Sequence, residues 1–265
     1  MSESDTTYDV RAAGATGDGE TRDTDPIQEA LDECAGTGGR VVVPPGEYLT
    51  APLSVGDDTT LELQAGATLS FARDHEAFPA YAGRWEGWEQ TGFHPCLLVE
   101  EAENVEITGK GTVDGQGDYW WDFYDVPDEE LPESLRERLA GFHEANDKAD
   151  DVSSFTLRPP LFQLYEAENV TVSGVTLKNS PFWNTHVVYS RDVTFHDVKI
   201  ANPADAPNGD GIDVDSSRHV RISDTYINAG DDAICIKSGK NAEGREVGRP
   251  AAQIAVTNCT IEAGH

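Results

Sequence analysis

The sequence predicts an all-β protein, a right-handed parallel β-helix closed at its N-terminal end by one capping helix, and three observations carry that prediction. One convincing amphipathic helix is present, with Ile27, Ala30, Leu31 and Cys34 at i, i+3, i+4 and i+7. From Val41 onward the chain alternates short β-branched segments with Gly, Asn and Asp punctuation. A unit of one polar residue followed by alternating Val or Ile then recurs: Asn104-Val105-Glu106-Ile107, Asn169-Val170-Thr171-Val172, Asp192-Val193-Thr194-Phe195, His219-Val220-Arg221-Ile222 and Gln253-Ile254-Ala255-Val256. Counted at the first Val or Ile, the last four copies are 23, 27 and 34 residues apart. A drifting period with a constant strand pattern describes coils that share strands and differ in loop length, stacked into parallel sheets with strands about 4.7–4.9 Å apart. An antiparallel sandwich, the competing architecture, calls for two-residue Asn-Gly type turns at a spacing of about 8–12 residues, and these are scarce.

Taken in order, the capping helix starts behind Asp25 as N-cap with Pro26 at its first position, and it stops in the glycine cluster Gly36 to Gly39. Val41-Val42-Val43 reads as a strand and Pro44-Pro45-Gly46 as the turn after it. Between the coil at Asn104 and the coil at Asn169 an excursion covers residues 118–154. It opens with Tyr119, Trp120, Trp121, Phe123 and Tyr124 and continues with a charged, helical stretch from Glu129 to Glu144. Excursions from a solenoid lie over one face, often the binding face. The aromatic head suits stacking on sugar rings and suits equally a satellite core that anchors the loop. Residues 1–265 form a single solenoid domain on this reading.

Composition excludes several classes. With 19 Lys and Arg against 49 Asp and Glu the formal net charge is −30, and the acids are spread along the whole chain. Nucleic-acid phosphate is a poor partner for such a surface. Interspersed acids with 8% aromatic residues fit neither an acidic tail nor a disordered chain. The pattern suits a salt-adapted protein, because molar salt shortens the Debye length to about 3 Å and so relieves self-repulsion. No stretch approaches the roughly 20 apolar residues of a membrane span. The polar, acidic start from Met1 to Asp9 lacks the features of a secretory signal, so a cytoplasmic location is expected unless the N-terminus was processed. Cys34, Cys96, Cys235 and Cys259 lack zinc-site spacing and read as buried free thiols.

The chemistry concentrates in two segments, Asn208-Gly209-Asp210-Gly211-Ile212-Asp213-Val214-Asp215-Ser216 and Gly230-Asp231-Asp232-Ala233-Ile234-Cys235-Ile236-Lys237-Ser238. They align at an offset of 22 residues, one rung of a solenoid, which sets Asp210 on Asp232 and Asp215 on Lys237. Asp231 joins the first pair as a third carboxylate, and Asp215 with Lys237 reads as a structural ion pair. Aligning Ile222 with Val256 and Ile227 with Ile261 gives an offset of 34, which sets Gly264 on Gly230 and His265 on Asp231. Carboxylates a few Å apart resist full ionisation, so one of them keeps a proton near neutral pH. A protonated acid beside ionised bases is what glycoside hydrolysis requires. The same oxygens suit a Ca²⁺ site, or plain turn and capping duty.

The residues also resemble family 28 glycoside hydrolases, the polygalacturonase group of pectin-degrading enzymes. Asn208-Gly209-Asp210 is similar to the group's Asn-Thr-Asp motif, Gly230-Asp231-Asp232 to its Gly-Asp-Asp motif, and Gly264-His265 to the start of its Gly-His-Gly motif. Asn179-Ser180-Pro181-Phe182-Trp183 and Gly111-Thr112-Val113-Asp114-Gly115-Gln116-Gly117 resemble its bacterial members. The resemblance implies a parallel β-helix and inverting hydrolysis of α-1,4-galacturonide links in a galacturonan-like polysaccharide, with no cofactor and no metal. It implies Asp231 as general acid, Asp210 and Asp232 as the groups that activate water, and His265 as the tuner of the acid, with Asn208 and Lys237 lining the substrate site. Gly209 stands where the group has Thr, and the sequence ends before the group's Arg-x-Lys segment, so a frame incomplete at the C-terminus is expected. Two other readings stay open: a Ca²⁺-dependent pectate-lyase-like β-helix using a Lys or Arg base, with Lys237 and Arg218 at hand, and a carbohydrate-binding β-helix without activity.

Overall fold

The computed structural model describes residues 6–146 and 157–264. They wind as a right-handed parallel β-helix whose coils contribute strands to three parallel sheets of eight, six and eight strands. The six-stranded sheet, hereafter the site sheet, stacks Leu53–Ser54, Leu97–Glu100, Phe162–Tyr165, Thr185–Val188, Ile212–Asp215 and Ile234–Lys237. Within one coil the chain passes from the site sheet to an eight-stranded sheet and then to the other, as in Phe162–Tyr165, Glu168–Ser173 and Thr176–Lys178.

The polar residue that begins each repeat has a mechanical task. Asn104, Asn169, Asp192, His219 and Gln253 all hold φ between 53° and 60°, the left-handed region in which the chain turns from one sheet into the next. Asn and Asp tolerate that region best among residues with a side chain. The Val or Ile that follows then points into the core, and Val105, Val170, Val193, Val220 and Ile254 stack in register on five successive coils. The first four are buried, and each such side chain contributes about 1.5–3 kcal/mol on leaving water. On the last coil the inward residues are open instead, with Ile236, Val256 and Ile261 exposed by 59%, 44% and 54%.

Helix α1 spans Thr24–Cys34 and buries the anticipated face of Ile27, Ala30, Leu31 and Cys34 against the first coils. It starts one residue before Asp25, which places Pro26 third in the first turn. Asp23 occupies the N-cap position without capping the helix. Its carboxylate instead accepts hydrogen bonds from the Thr16 and Gly17 amides at 2.7 and 2.9 Å, fastening the preceding loop.

Two features leave the stack. Ala80–Trp85 and Trp88–Phe93 form an antiparallel hairpin through a two-residue turn in which Glu86 and Gly87 hold φ of 46° and 85°. Such a turn matches the twist of the strands it joins. Between Thr112–Asp114 and Phe162–Tyr165 the chain forms α2 (Asp118–Trp121) and α3 (Glu133–Ala145). Leu135, Leu139 and Phe142 bury one side of α3, and Trp120 packs edge-on against Phe78 and Phe93. Of the aromatic head, only Tyr124 is well exposed, so the satellite core accounts for most of that segment.

Candidate active site

The site sheet alternates core-facing and outward residues, and its in-register columns decide which outward side chains meet. Ile212 and Val214 enter the core, while Gln163, His186, Asp213 and Cys235 form one outward column and Tyr165, Val188, Asp215 and Lys237 the next. The loops that lead into the last two strands bring Asp210, Asp231 and Asp232 to the same edge. The rung is closed by Gly211 N–H donating to the Asp232 carbonyl at 2.9 Å and Ile212 N–H donating to Ala233 at 3.1 Å. Two glycines permit that approach: a Cβ on Gly211 would lie 2.3 Å from the Ala233 oxygen, and one on Gly230 would lie 2.3 Å from the Ala206 oxygen.

Asp210 and Asp232 thus stand one rung apart, as the 22-residue offset implies. One carboxylate oxygen from each lies within 4.8 Å of the other and of the Cys235 sulfur. Cys235 Sγ is 2.8 Å from Asp232 Oδ2 and 3.9 Å from Asp210 Oδ2. Half-buried Asp231 sits beside them, its Oδ1 accepting from the Asp232 amide at 3.0 Å. Asn208 flanks the cluster with φ of 50°, its side-chain oxygen held by Arg158 at 2.7 Å.

Burial and like charge set the proton affinity here. Burial, then the Asp213 charge, push the Asp210 carboxyl up to about 8, against the pull of Lys237. Burial likewise raises Asp213 to about 7, although Lys237 opposes it. Burial and like charge thus favour the expected retained proton, with Asp210 and Asp213 as its tightest holders. For groups this close such a proton belongs to the cluster as a whole. Burial lifts the Cys235 thiol above its ordinary range, and the hydrogen bond to Asp232 adds to the effect.

The expected ion pair between Asp215 and Lys237 does not form, although the two residues are in register. The Lys237 stem leans back along its strand, so that Nζ lies 3.0 Å from Asp213 Oδ1 and 4.1 Å from the centre of the Trp183 ring. Asp215 is taken instead by Arg84 of the hairpin at 2.7 Å. Burial raises the Asp215 carboxyl, but His186, with Nε2 3.8 Å away, and the hydrogen bond from Arg84 outweigh it and hold the group well below the usual range. The 34-residue offset also needs amending. It holds for Ile222 with Val256 and Ile227 with Ile261, after which a bulge brings Asn228 level with Ala263 at an offset of 35. Gly264 packs against Ala233, and His265 lies outside the described residues. Cys34 and Cys96 are buried free thiols as expected, whereas Cys235 and Cys259 are only half-buried.

Several residues near the cluster escaped the sequence reading. Asp213 and Cys235 align at the 22-residue offset, and strand alternation puts both outward. Arg158 is fully buried, 2.6 Å from the Pro207 carbonyl and stacked on Phe182 and Tyr124, and burial pulls it down to about 10. No local pattern marks it. Trp85, Phe182 and Trp183 form a buried aromatic cluster, with Trp183 edge-on to His186 at 4.9 Å. Arg218 lines a separate groove of about 360 Å³ with Arg191 and Arg249. No described helix is long and apolar enough to cross a membrane.

Comparison with known proteins places this geometry. The model of the glycosyl hydrolases family 28 matches residues 142–265, the part that carries the three aspartates. A probable polygalacturonase of Vitis vinifera is 32% identical over 93% of this chain and 47% of its own length. An exopolygalacturonase of Zea mays is 30% identical over 97% of this chain and 53% of its own. The chain thus spans about half the length of these curated relatives. Among solved structures, the exopolygalacturonase of Thermotoga maritima superimposes with a TM-score of 0.84 at 32% identity, over 99% of this chain and 62% of that one. The family 28 exopolygalacturonase of Yersinia enterocolitica, at 24% identity and a TM-score of 0.81, shows the same fold. Motifs, backbone and relatives agree: over residues 142–265 the chain matches the glycosyl hydrolases of family 28, and along its length it is similar to polygalacturonases of that family.

Proposed function

We propose that the chain hydrolyses α-1,4-galacturonide links of a galacturonan-like polysaccharide, with inversion at the anomeric carbon. The observation that carries this reading is the convergence of Asp210, Asp231 and Asp232 on one sheet edge, where burial and like charge favour a retained proton. Asp231 gives a proton to the leaving glycosidic oxygen, and Asp210 and Asp232 hold the water that attacks from the opposite face, the one of the pair that is ionised taking its proton. The proton taken from water enters the cluster as the leaving alcohol departs with the one donated, so the cluster ends as it began. His265 tunes the acid.

A galacturonate carries its own anion, and among the described residues the cations whose charge reaches Asp210 are Lys237 and Arg158. Lys237 reaches the site over Trp183, and Arg158 backs Asn208. These side chains offset the repulsion between a −30 chain and an anionic polymer. The names of the relatives support a hydrolase. A lyase would need a neutral Lys or Arg base at the cluster, whereas Arg218 lies in the separate groove and the Asp213 carboxylate beside Lys237 favours the charged ammonium.

Proton NMR of the first products tests the stereochemistry. Inversion gives β-anomeric reducing ends that mutarotate later, whereas α-anomers at the earliest times would refute the assignment of Asp210 and Asp232 to water.

A further inference from the structure

We propose that Asp210, Asp232 and Cys235 form a binding site for a soft divalent cation such as Zn²⁺ or Cd²⁺, and that the ion when bound takes the space the hydrolytic water needs. This goes beyond the hydrolase reading, and its binding test does not depend on that reading.

Three observations carry it. The donor atoms already converge: one oxygen of each carboxylate and the Cys235 sulfur lie within 4.8 Å of one another, with sulfur–oxygen distances of 2.8 and 3.9 Å. A tetrahedral ion with bonds of about 2.3 Å to sulfur and about 2.0–2.2 Å to oxygen spaces its ligands at comparable distances, so small side-chain rotations suffice. Asp210 is only 4% exposed, and among the described residues its carboxylate makes no hydrogen bond beyond the weak one with Cys235. A buried carboxyl with so weak a donor carries its charge at a cost and keeps a proton instead, and a divalent cation can take that proton's place. Cys235 itself is half-buried, so the sulfur is reachable.

The donor set selects the ion. One thiolate with two carboxylates suits Zn²⁺ or Cd²⁺, whereas Ca²⁺ wants about six to eight oxygens and Mg²⁺ an octahedral oxygen shell. On binding, the S–H bond breaks, a sulfur–metal bond forms, and both the thiol proton and the carboxyl proton that Asp210 retains leave to solvent. A three-ligand site keeps a position open, and an ion held by Asp210 and Asp232 displaces the water these residues would otherwise orient.

The test is a titration of the reduced chain with Cd²⁺, following the ultraviolet charge-transfer band of the thiolate–metal bond, and with Zn²⁺ by calorimetry. One equivalent is expected, with the band lost in Cys235→Ala and kept in Cys259→Ala. Zn²⁺ affinity should fall at least about 10-fold in both Cys235→Ala and Asp210→Asn. No band, a band that survives Cys235→Ala, or unchanged Zn²⁺ affinity in both variants would overturn the site. A measurement on the unmutated chain guards against variants that fail to fold. Saturating Zn²⁺ should slow alkylation of Cys235 by iodoacetamide, read by peptide mass spectrometry, and leave Cys259 unaffected; equal Cys235 rates with and without Zn²⁺ would also overturn it.

Discussion

Arg84 and Asp215 lie 131 residues apart in sequence, yet they form a fully buried ion pair at 2.7 Å that ties the hairpin to the site sheet. Arg84 also bonds Glu89 and Tyr189, and the hairpin tip meets the loop after Ile234–Lys237 through Lys240 N–H donating to the Gly87 carbonyl. Breaking a buried pair leaves one charge without compensation, so Arg84→Ala should destabilise the protein by about 3–5 kcal/mol. The double replacement Arg84→Met with Asp215→Leu should recover part of that loss. Urea midpoints of the two variants check the claim, and a double variant no more stable than Arg84→Ala would contradict it.

Asp210 and Asp213 hold their protons more tightly in the folded chain than in the unfolded one, where the value is near 3.8. Stability from this source is fully present below that value and is lost as pH rises through about 7 for Asp213 and about 8 for Asp210. Asp210→Asn cannot ionise. Its melting temperature relative to the parent should therefore climb from pH 4 to pH 9, reaching a gain of about 1–3 kcal/mol at the alkaline end. A pH-independent difference would show that Asp210 is not the proton holder.

Lys237 is the counter-ion of fully buried Asp213. Lys237→Met keeps the packing on Trp183 and removes the charge, so the Asp213 carboxyl should rise further and the substrate KM should increase. A steeper loss of stability above pH 7 would accompany it. KM and a pH series of melting curves read the two effects separately.

The surface charge of −30 predicts a strong response to salt. Raising ionic strength from about 0.01 M to about 1 M shortens the Debye length from about 30 Å to about 3 Å. Melting temperature should increase over that range with KCl. A flat curve would mean that the acids are already balanced locally by pairs such as Arg22 with Asp74 and Lys110 with Asp197.

The coil repeat was legible because each of its residues answers to a local rule. Asn104 and Asn169 make the left-handed bend, Val105 and Val170 enter the core, and both facts recur at the next rung. The stacking of Asp210 on Asp232 followed from counting residues alone. What escaped depends on distant chain. Nothing near Asp215 announces that Arg84 will claim it, and nothing near Asn208 announces Arg158. Lys237 went to Asp213 rather than to its register partner because a four-carbon stem reaches along a strand as easily as across the ladder. The bulge after Ile227 shifted the last offset by one residue, a local event that an even repeat conceals.

The most direct measurement incubates the chain with polygalacturonate in molar salt beside Asp231→Asn, following both new reducing ends and the ultraviolet absorbance of unsaturated sugars. The account predicts reducing ends without that absorbance, and a loss of about 10²–10⁴-fold in the variant at unchanged circular dichroism. Unsaturated products, or reducing ends released equally by Asp231→Asn, would contradict it.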